Sequence, residues 1–359
     1  MTTTTAPPEY NVTGIDYAHR RHLRYAGPLI DLHAHVMVTH PDDPPMGPPK
    51  GPGAGGTIAQ AETMLAVAAE FGITRTISMC PPEHIPPLRE RFGDRVGFNG
   101  PISKKSLDAP DDDAYRLLDR FLELGVEMIK FWAAPRGRER GLFVDAPWRI
   151  EAARRARAAG VRTVMVHVSD PDAWFRTVYS DAAKFGTKAD QYVGLERMLQ
   201  MFPDMTWIGA HMGGDVEHPD HLEALLEKYP NLYFDTSATK WVVREASRHP
   251  AAVRDLIGRH PDRFFFGSDL VTRHFLVREH YVSRYWCQRG LWESDWQGPS
   301  PIADPDYTPA DGEPAAVWLR GVDLPADVLR RVYHANAAHL LGSRPGKLQE
   351  VGNTADKGR

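Results

Sequence analysis

Cysteine is nearly absent from this chain of 359 residues, which contains only Cys80 and Cys287. Two cysteines cannot form a disulfide framework, and they cannot supply the cysteine cluster of a structural zinc site. Disulfide frameworks are typical of proteins that work in oxidising compartments. We therefore expect this protein to work in the reducing environment of the cytoplasm.

The sequence also lacks the features that direct a protein to a membrane or out of the cell. No apolar run approaches the roughly 18–20 residues that a membrane-spanning helix needs. The first ten residues, MTTTTAPPEY, contain neither the basic region nor the apolar region of a secretory signal. We expect no membrane partner.

An excess of basic charge is missing as well. The chain has 43 lysines and arginines against 47 aspartates and glutamates, which gives a formal net charge of −4. Nucleic-acid-binding domains usually show a basic footprint, so we expect a small-molecule substrate and no nucleic acid.

What the sequence does contain is a regular alternation of short apolar segments with longer segments of helical period. The predicted strands are residues 29–33, 73–79, 95–103, 126–132, 161–167, 205–211, 232–237 and 263–269. Three junctions, MFPDM, KYPNL and RHPDRF, place a proline where a helix must end before the next strand begins.

Eight strands that alternate with helices predict a parallel sheet, and closure at eight strands predicts an α/β fold of the (β/α)8 TIM-barrel type. An open, doubly wound sheet is the alternative, but GPGAGG at 51–56 lies in a proline-rich stretch and does not open a helix directly after a strand. We expect an N-terminal extension at 1–25, one barrel domain at 26–342 and a flexible tail at 343–359. Residues 40–56 are predicted to be a long loop after the first strand, either over the barrel mouth or without a function.

Chemically active side chains occur at the ends of the predicted strands. His33 and His35 in LIDLHAH are two residues apart, so on a strand they point to the same face. A pair of structural histidines would give the same pattern. The full set of such side chains comes from five strands: His33 and His35, Lys130, His167, His211 and Asp269.

The shared position of these residues favours a metal centre over separate structural roles. Taken alone, His167 or His211 could be a core histidine, Asp269 a helix cap and Lys130 an ion-pair partner. In a (β/α)8 barrel, however, the carboxyl ends of the strands form the active site. Imidazoles with one carboxylate suit one divalent ion, Zn²⁺ first, with Fe²⁺, Mn²⁺ or Co²⁺ as alternatives.

Several motifs resemble the amidohydrolase superfamily in their order and spacing over roughly residues 29–342, specifically its amidohydrolase-related (type 2) branch, which includes aminocarboxymuconate-semialdehyde decarboxylase. These motifs are IDLHAH, GVEMIKFW, VMVHVSD, WIGAHMGG, NLYFDTS, RFFFGSD and NAAHLLG. The resemblance implies that one metal is bound by His33, His35, His167 and Asp269. It also implies that His211 is the acid/base that helps to activate a metal-bound water.

Lys130 has two possible roles under this resemblance. Some members of the superfamily carboxylate a lysine after the fourth strand, and the resulting carbamate bridges two metals. The type 2 branch mostly uses one metal, so we expect Lys130 to contact the substrate, with the bridging carbamate as the alternative.

The resemblance implies a metal-dependent hydrolase in which activated water attacks an amide, ester or lactone carbonyl of a small organic substrate. Asp269 would accept a proton from the water, and His211 would stabilise the oxyanion or protonate the leaving group. The family also contains non-oxidative decarboxylases (carboxy-lyases) of unsaturated or aromatic carboxylic acids. That alternative needs a fixed cation, for which Arg273 and Arg244 are candidates. A catalytically silent metal-binding scaffold is the lesser alternative.

Two aromatic stretches lie next to predicted site residues. Residues 169–190 follow His167, and we predict that Trp174 contacts the substrate, with helix packing as the alternative. Residues 271–309 follow the eighth strand and are rich in tryptophan and tyrosine. We expect this insertion to enclose the substrate or to pack against another subunit, and we expect a homodimer or a higher homo-oligomer.

Overall fold

The fold is known from a computed structural model, which describes residues 8–38, 56–104, 109–273, 277–309 and 316–342. Its strands are β1 (Leu29–His35), β2 (Ile73–Met79), β3 (Val96–Pro101), β4 (Met128–Trp132), β5 (Thr163–His167), β6 (Thr206–Gly209), β7 (Leu232–Asp235), β8 (Phe264–Phe265), β9 (Leu270–Val271), β10 (Gln297–Pro299) and β11 (Trp318–Arg320).

The helices alternate with the barrel strands and continue after them. They are α1 (Ile58–Glu70), α2 (Ile85–Phe92), α3 (Asp111–Glu123), α4 (Pro135–Arg138), α5 (Pro147–Ala158), α6 (Asp172–Thr177), α7 (Ala182–Phe185), α8 (Lys188–Met201), α9 (Pro219–Lys228), α10 (Trp241–Ala246), α11 (Pro250–Arg259), α12 (Arg278–Glu293), α13 (Ala326–Arg330) and α14 (Asn336–Gly342). A π-helical turn, Arg331–Ala335, joins α13 to α14.

The main sheet is parallel and closes into a ring. Its strand order is β8-β7-β6-β5-β4-β3-β2-β1-β9. β8 and β9 belong to one segment, in which Phe264 pairs with Phe234 of β7 and Leu270 pairs with Ala34 of β1. Because this segment joins both edges of the sheet, the predicted TIM barrel is confirmed. The eighth strand differs from the prediction because a bend at 266–269 splits it.

Apolar side chains explain why these segments form strands in the ring. One buried cluster combines side chains from several barrel strands with the residue after β6 and one residue of α14: Ile30, Leu32, Ile77, Met79, Met128, Met165, Ile208, Ala210, Phe265 and Ala337. A second, larger cluster contains residues of the strands and of the surrounding helices. Strands buried on both faces need near-continuous apolar runs, which is the pattern that the sequence has.

The proline junctions act as predicted. Helices α8, α9 and α11 end two residues before the prolines at 203, 230 and 261, and β6, β7 and β8 begin two or three residues after them. The turn therefore returns the chain to the sheet at each of these points, because proline cannot continue the helix.

The aromatic insertion after the eighth strand is packed inside the chain. Trp286 and Trp292 of α12 are at most 1% exposed. The ring centroids of Trp286 and Tyr17 lie 5.8 Å apart, and so do those of Tyr285 and Phe71. The expectation that this stretch faces the substrate or a second subunit is wrong for these side chains, because they are buried within the chain itself.

Other expectations fall partly outside the described residues. These are the loop at 40–56, apart from Gly56, the tail at 343–359, and Phe275 in the aromatic insertion. Residues 8–25 form no helix or strand, and Arg24 hydrogen-bonds the backbone of Glu293 in α12. The division into extension, barrel and tail stays a prediction. None of the helices within the described ranges is both long enough and apolar enough to cross a bilayer.

We predict that Gly214 is required for packing the loop after β6 onto the loop after β5. Its φ is +74°, and an added Cβ would lie 2.1 Å from the carbonyl oxygen of Ser169. Gly214→Ala should therefore lower the free energy of unfolding by about 1–3 kcal/mol or more, as overpacking and a left-handed backbone both cost stability. Chemical denaturation monitored by circular dichroism measures this change.

The matched control is Gly258→Ala in α11, where an added Cβ meets nothing within 4 Å. That variant should be about 0.5–1 kcal/mol more stable than the native chain, since alanine is the better helix former. Equal stability of the two variants would contradict the packing described for Gly214.

Candidate active site

Two histidines and one aspartate meet at the carboxyl end of β1. The Nε2 atom of His33 lies 3.3 Å from Oδ1 of Asp269, and Nε2 of His35 lies 3.2 Å from the same oxygen. The three side chains offer ligand atoms that all lie within 4.8 Å of one another. The structure thus brings together three of the four side chains predicted to bind a metal.

A buried carboxylate joins β1 to the bend that carries Asp269. Asp31 accepts hydrogen bonds from the backbone N–H of Ser268 at 3.0 Å and from the hydroxyls of Ser268 at 2.6 Å and Tyr285 at 3.1 Å. The backbone N–H of Asp269 also donates to the carbonyl of His33 at 2.7 Å. Burial raises the pKa of Asp31 to about 6, although these hydrogen bonds oppose the rise. We call this arrangement the Asp31 clamp.

The clamp holds Asp269 in a backbone conformation that L-residues avoid. The φ of Asp269 is +60°, and the φ of His211 is +58°. A left-handed conformation at such residues costs roughly 1–2 kcal/mol, and conformations of this kind persist where surrounding contacts over-determine them, often at functional sites. Two predicted site residues therefore occupy strained positions.

A second buried carboxylate orients both His33 and His211. Asp235, at the end of β7, accepts a hydrogen bond from Nδ1 of His33 at 2.8 Å and from the backbone N–H groups of His211 at 2.9 Å and Ser237 at 3.0 Å. Burial works to raise the pKa of Asp235, but the nearby charge of His33 and its hydrogen bond outweigh this effect and hold that pKa below its usual range. The hydrogen bond to Asp235 uses Nδ1 of His33, so Nε2 is the ring nitrogen that faces Asp269.

His211 lies next to this group and is held by a hydroxyl. Its Nδ1 is 2.7 Å from Oγ of Ser237, and its ring centroid is 4.8 Å from those of both His33 and His167. Burial lowers the pKa of His211 well below its ordinary value, and the neighbouring His167 and His33 act in the same direction. The imidazole is therefore neutral at pH 7 and can accept a proton.

His167 is close to His211 but outside the tight group. Its Nε2 lies 2.9 Å from Oδ1 of Asp170, whose other oxygen accepts a hydrogen bond from Tyr179 at 2.9 Å. The remaining nitrogen, Nδ1, is the atom with which His167 could coordinate an ion. Its role as a ligand stays a prediction.

Lys130 reaches the same nitrogen of His33 that faces Asp269. Its Nζ lies 3.2 Å from Nε2 of His33, and the side chain is buried. Burial lowers the pKa of Lys130 to about 8, while Asp235 and Asp269 oppose the shift. Lys130 is thus part of the site, and its contact with a substrate stays a prediction.

The predicted substrate contacts differ in their positions. Arg273 lines a cavity beside Asp269. Trp174 does not line this cavity, and its ring packs 6.3 Å from that of Tyr179. Arg244, the other candidate for a fixed cation, is not available to a substrate carboxylate, because its guanidinium is buried and paired with Glu245 and Asp304.

Sequence reasoning missed the supporting residues. Asp235 and Ser237 belong to the polar DTS with which β7 ends, in the NLYFDTS motif, and this is the signal that could have found them. Two tryptophans beside the site were missed as well. Trp132 is the last residue of β4 and is 39% exposed, and its ring centroid lies 6.4 Å from that of His167. The ring centroid of Trp241 lies 5.6 Å from that of His211.

Solved structures share the barrel over most of their length. An uncharacterized TIM-barrel protein from Bordetella bronchiseptica has 14% identity and a TM-score of 0.51, covering 88% of this chain and 98% of that one. A probable 2-pyrone-4,6-dicarboxylic acid hydrolase from Acinetobacter baumannii, with citric acid bound, has 13% identity and a TM-score of 0.50, covering 88% and 99%. An amidohydrolase from Burkholderia multivorans, with bound zinc, has 13% identity and a TM-score of 0.50, covering 89% and 100%.

At these identities the likeness to solved structures shows the fold alone. None of the curated proteins matches the chain. The family model described as Amidohydrolase (Amidohydro_2), however, matches residues 30–343, which is most of the sequence and includes every residue of the site described above. The chain therefore belongs to this amidohydrolase family.

Proposed function

We propose that this chain is a metal-dependent hydrolase that cleaves an amide, ester or lactone bond of a small organic substrate. One divalent ion would be held by His33, His35 and Asp269, with His167 as the fourth ligand. The observation that carries the proposal is the approach of two imidazole nitrogens to one carboxylate oxygen, at 3.3 and 3.2 Å.

The donor set fits such an ion. Imidazole nitrogens with one carboxylate form a mixed nitrogen and oxygen site, which suits Zn²⁺ first and Fe²⁺, Mn²⁺ or Co²⁺ as alternatives. Asp235 supplies the carboxylate that metal-binding histidines usually have on their other nitrogen. The Burkholderia multivorans amidohydrolase contains zinc, which agrees with the first choice. When bound, the ion would lower the pKa of a coordinated water from about 15.7 toward roughly 7 and polarise the carbonyl group.

The chain itself supplies the proton transfers and the positioning. His211 is neutral, and Ser237 holds its Nδ1, so Nε2 is the nitrogen that can exchange a proton with water or with a leaving group. The carboxylate of Asp269 is a second group that can receive a proton. Nζ of Lys130 lies 3.2 Å from Nε2 of His33 and can stabilise negative charge that develops on the substrate.

A non-oxidative decarboxylase is the second candidate, and one observation favours it. Arg273 lines the cavity next to Asp269, and a decarboxylase needs a fixed cation there for the substrate carboxylate. The resemblance of the sequence motifs to the branch that includes aminocarboxymuconate-semialdehyde decarboxylase supports this second candidate. A cytoplasmic location and a homo-oligomeric state stay predictions from the sequence.

We predict that Asp235 strengthens metal binding without being a ligand. Asp235→Asn should weaken the metal affinity by roughly 10–100-fold, because the neutral amide orients His33 less firmly and makes it less basic. Competition with a chromophoric chelator measures the affinity. The control is Asp262→Asn, an exposed carboxylate paired with Arg331, which should leave the affinity unchanged. Equal affinities for both variants would remove Asp235 from the metal centre.

We predict that His211 acts in the reaction and not in metal binding. His211→Asn should keep its metal and lose about 10²–10⁴-fold in kcat, the usual contribution of a general acid or base. Elemental analysis and steady-state kinetics measure the two properties. His249→Asn, at an exposed histidine, should behave like the native protein. Native turnover in His211→Asn would rule out this role.

The two candidate reactions give different products. Two groups of compounds are tested in ¹⁸O-labelled water: lactones, esters and amides, and unsaturated and aromatic acids. We expect turnover to place one labelled oxygen in the product and to release no carbon dioxide. Mass spectrometry of the product and detection of carbon dioxide provide the measurement. Carbon dioxide release without label would establish the decarboxylase instead.

A further inference from the structure

A group of charged side chains connects the loop after β5 with the loop after β6, at the end of the barrel that carries the site. Asp172 begins α6, five residues after His167. Asp215 and His218 follow His211 by four and seven residues. Both loops therefore start at a predicted site residue. We call the whole group the rim cluster, and its members are Asp172, Lys188, Asp215, Glu217, His218 and His221.

Lys188, at the start of α8, is the permanent cation of the rim cluster. Its Nζ lies 2.7 Å from oxygens of both Asp172 and Asp215, and 3.0 Å from Oε2 of Glu217. Burial works to lower the pKa of Lys188, but Asp215 and Glu217 outweigh it and hold that pKa above its usual value. The negative charge of Glu245 in α10 also acts on Glu217. Three carboxylates against one ammonium leave an excess of negative charge while both histidines are neutral, and such an excess favours their protonation.

His218 is placed so that each of its ring nitrogens faces a carboxylate. Its Nδ1 lies 2.6 Å from Oδ1 of Asp215, and its Nε2 lies 3.3 Å from Oδ2 of Asp172. A neutral imidazole has a single N–H donor, so one of these two contacts would set a lone pair against a carboxylate oxygen. An imidazolium has an N–H on both nitrogens. The geometry therefore fits the protonated form of His218.

The surroundings of His218 act on its proton in both directions. Burial of the ring and the charge of Lys188 work to lower the pKa of His218, but the hydrogen bond to Asp215 and the charges of Asp215 and Asp172 outweigh them and raise it. His218 also precedes α9, whose N-terminus disfavours a cation, although Asp220 in the first turn offsets part of this effect. Since 49% of the side chain is exposed, the ring can exchange its proton with solvent.

A second histidine holds the oxygen of Asp215 that His218 does not use. Nδ1 of His221 in α9 lies 2.6 Å from Oδ2 of Asp215. The ring of Tyr192 in α8 packs against His221, with 4.8 Å between the ring centroids, and the charge of His221 also acts on Glu196 of α8. Asp215 is thus anchored independently of His218 and stays in place when His218 changes its charge.

The same side chains also have the composition of a cation site. Ligand atoms of Asp172, Asp215 and His218 lie within 4.8 Å of one another. The ammonium of Lys188, however, already contacts an oxygen of each of the two aspartates at 2.7 Å. Because a positive charge is already in contact with both carboxylates, a proton on His218 is the further cation that the cluster can take up.

We propose that His218 is a proton-controlled latch between the loops after β5 and β6. As an imidazolium it holds Asp215 with one nitrogen and Asp172 with the other. As a neutral ring it keeps the shorter contact, at 2.6 Å to Asp215, and releases the one to Asp172. Because proton binding stabilises the closed latch, its contribution is complete below about pH 6.5 and is lost as the pH rises through the raised pKa. Since these loops begin at His167 and His211, the latch makes the order of the site depend on pH.

The first test is a pH titration of the histidine rings by heteronuclear NMR, on the full-length chain in the presence of EDTA. The signal of His218, identified by its absence in His218→Gln, should titrate above the ordinary histidine value of about 6.5, with protons on both ring nitrogens below that point. Asp172→Asn should lower the pKa of His218, because it removes one of the two facing carboxylates. Titration of His218 at or below about pH 6.5 in the native chain would overturn the proposal.

The second test measures the opening of the two loops by hydrogen exchange, with mass spectrometry of peptides that cover residues 168–176 and 212–222. After correction for the intrinsic pH dependence of exchange, protection in the native chain should fall by about 3–10-fold between mildly acidic and mildly alkaline pH, the effect of one partly exposed charged contact. His218→Arg has a permanent charge and should stay protected at both pH values. His218→Gln should show the lower protection at both.

The matched control is His249→Gln. Like His218, His249 is exposed and directly precedes a proline that begins a ten-residue helix. This variant should keep the native pH dependence in both loops, and circular dichroism verifies that each variant is folded. The same pH dependence in the native chain, His218→Arg and His218→Gln would rule out the latch, because another group would then cause the change. Neither measurement requires turnover or a bound metal, so a failure of the proposed reaction would leave the latch standing.

Discussion

The carboxylate of Asp235 is the group on which the geometry of the site depends. From the end of β7 it contacts a ring nitrogen on β1 and the backbone after β6. It also contacts Ser237, whose hydroxyl in turn holds His211. A buried anion with several donors is stable only when all of them are in place, so this one group fixes the relative positions of three strand ends. The orientation of His33 and that of His211 are therefore set together.

The Asp31 clamp performs the corresponding task on the other side of His33. It links the first strand to the split eighth strand and holds Asp269 in its left-handed conformation. The barrel strands thus fix the positions of His33 and His35, while the interruption of the strand at 266–269 lets the carboxylate of Asp269 turn toward β1. A continuous eighth strand would carry Asp269 in an extended conformation, without the bend that brings it to His33 and His35.

Much of this arrangement was predictable, because it follows from pattern. The strand positions follow from apolar runs bounded by helix-ending prolines, and the meeting of His33, His35 and Asp269 follows from the rule that strand ends share one face of the barrel. The bonds of Asp235 to His33 and of Asp31 to Ser268 were not predictable, since they join residues 202 and 237 positions apart and depend on exact side-chain positions. The burial of α12 was missed because tryptophan and tyrosine are favoured equally in cores, at interfaces and beside ligands. The pairing of Arg244 was missed because a sequence does not show which arginines already have a counter-ion.

Closure of the ring also constrains how the protein is made. The hydrogen bond between Asp31 and Ser268 joins residues 237 positions apart in the chain. At a synthesis rate of about 5–20 residues per second, β1 would leave the ribosome roughly 10–50 s before its second neighbour exists. During that interval one edge of an apolar strand has no partner, and such edges readily pair with other chains. The nascent first strand therefore exposes one edge to such pairing until β9 has been made.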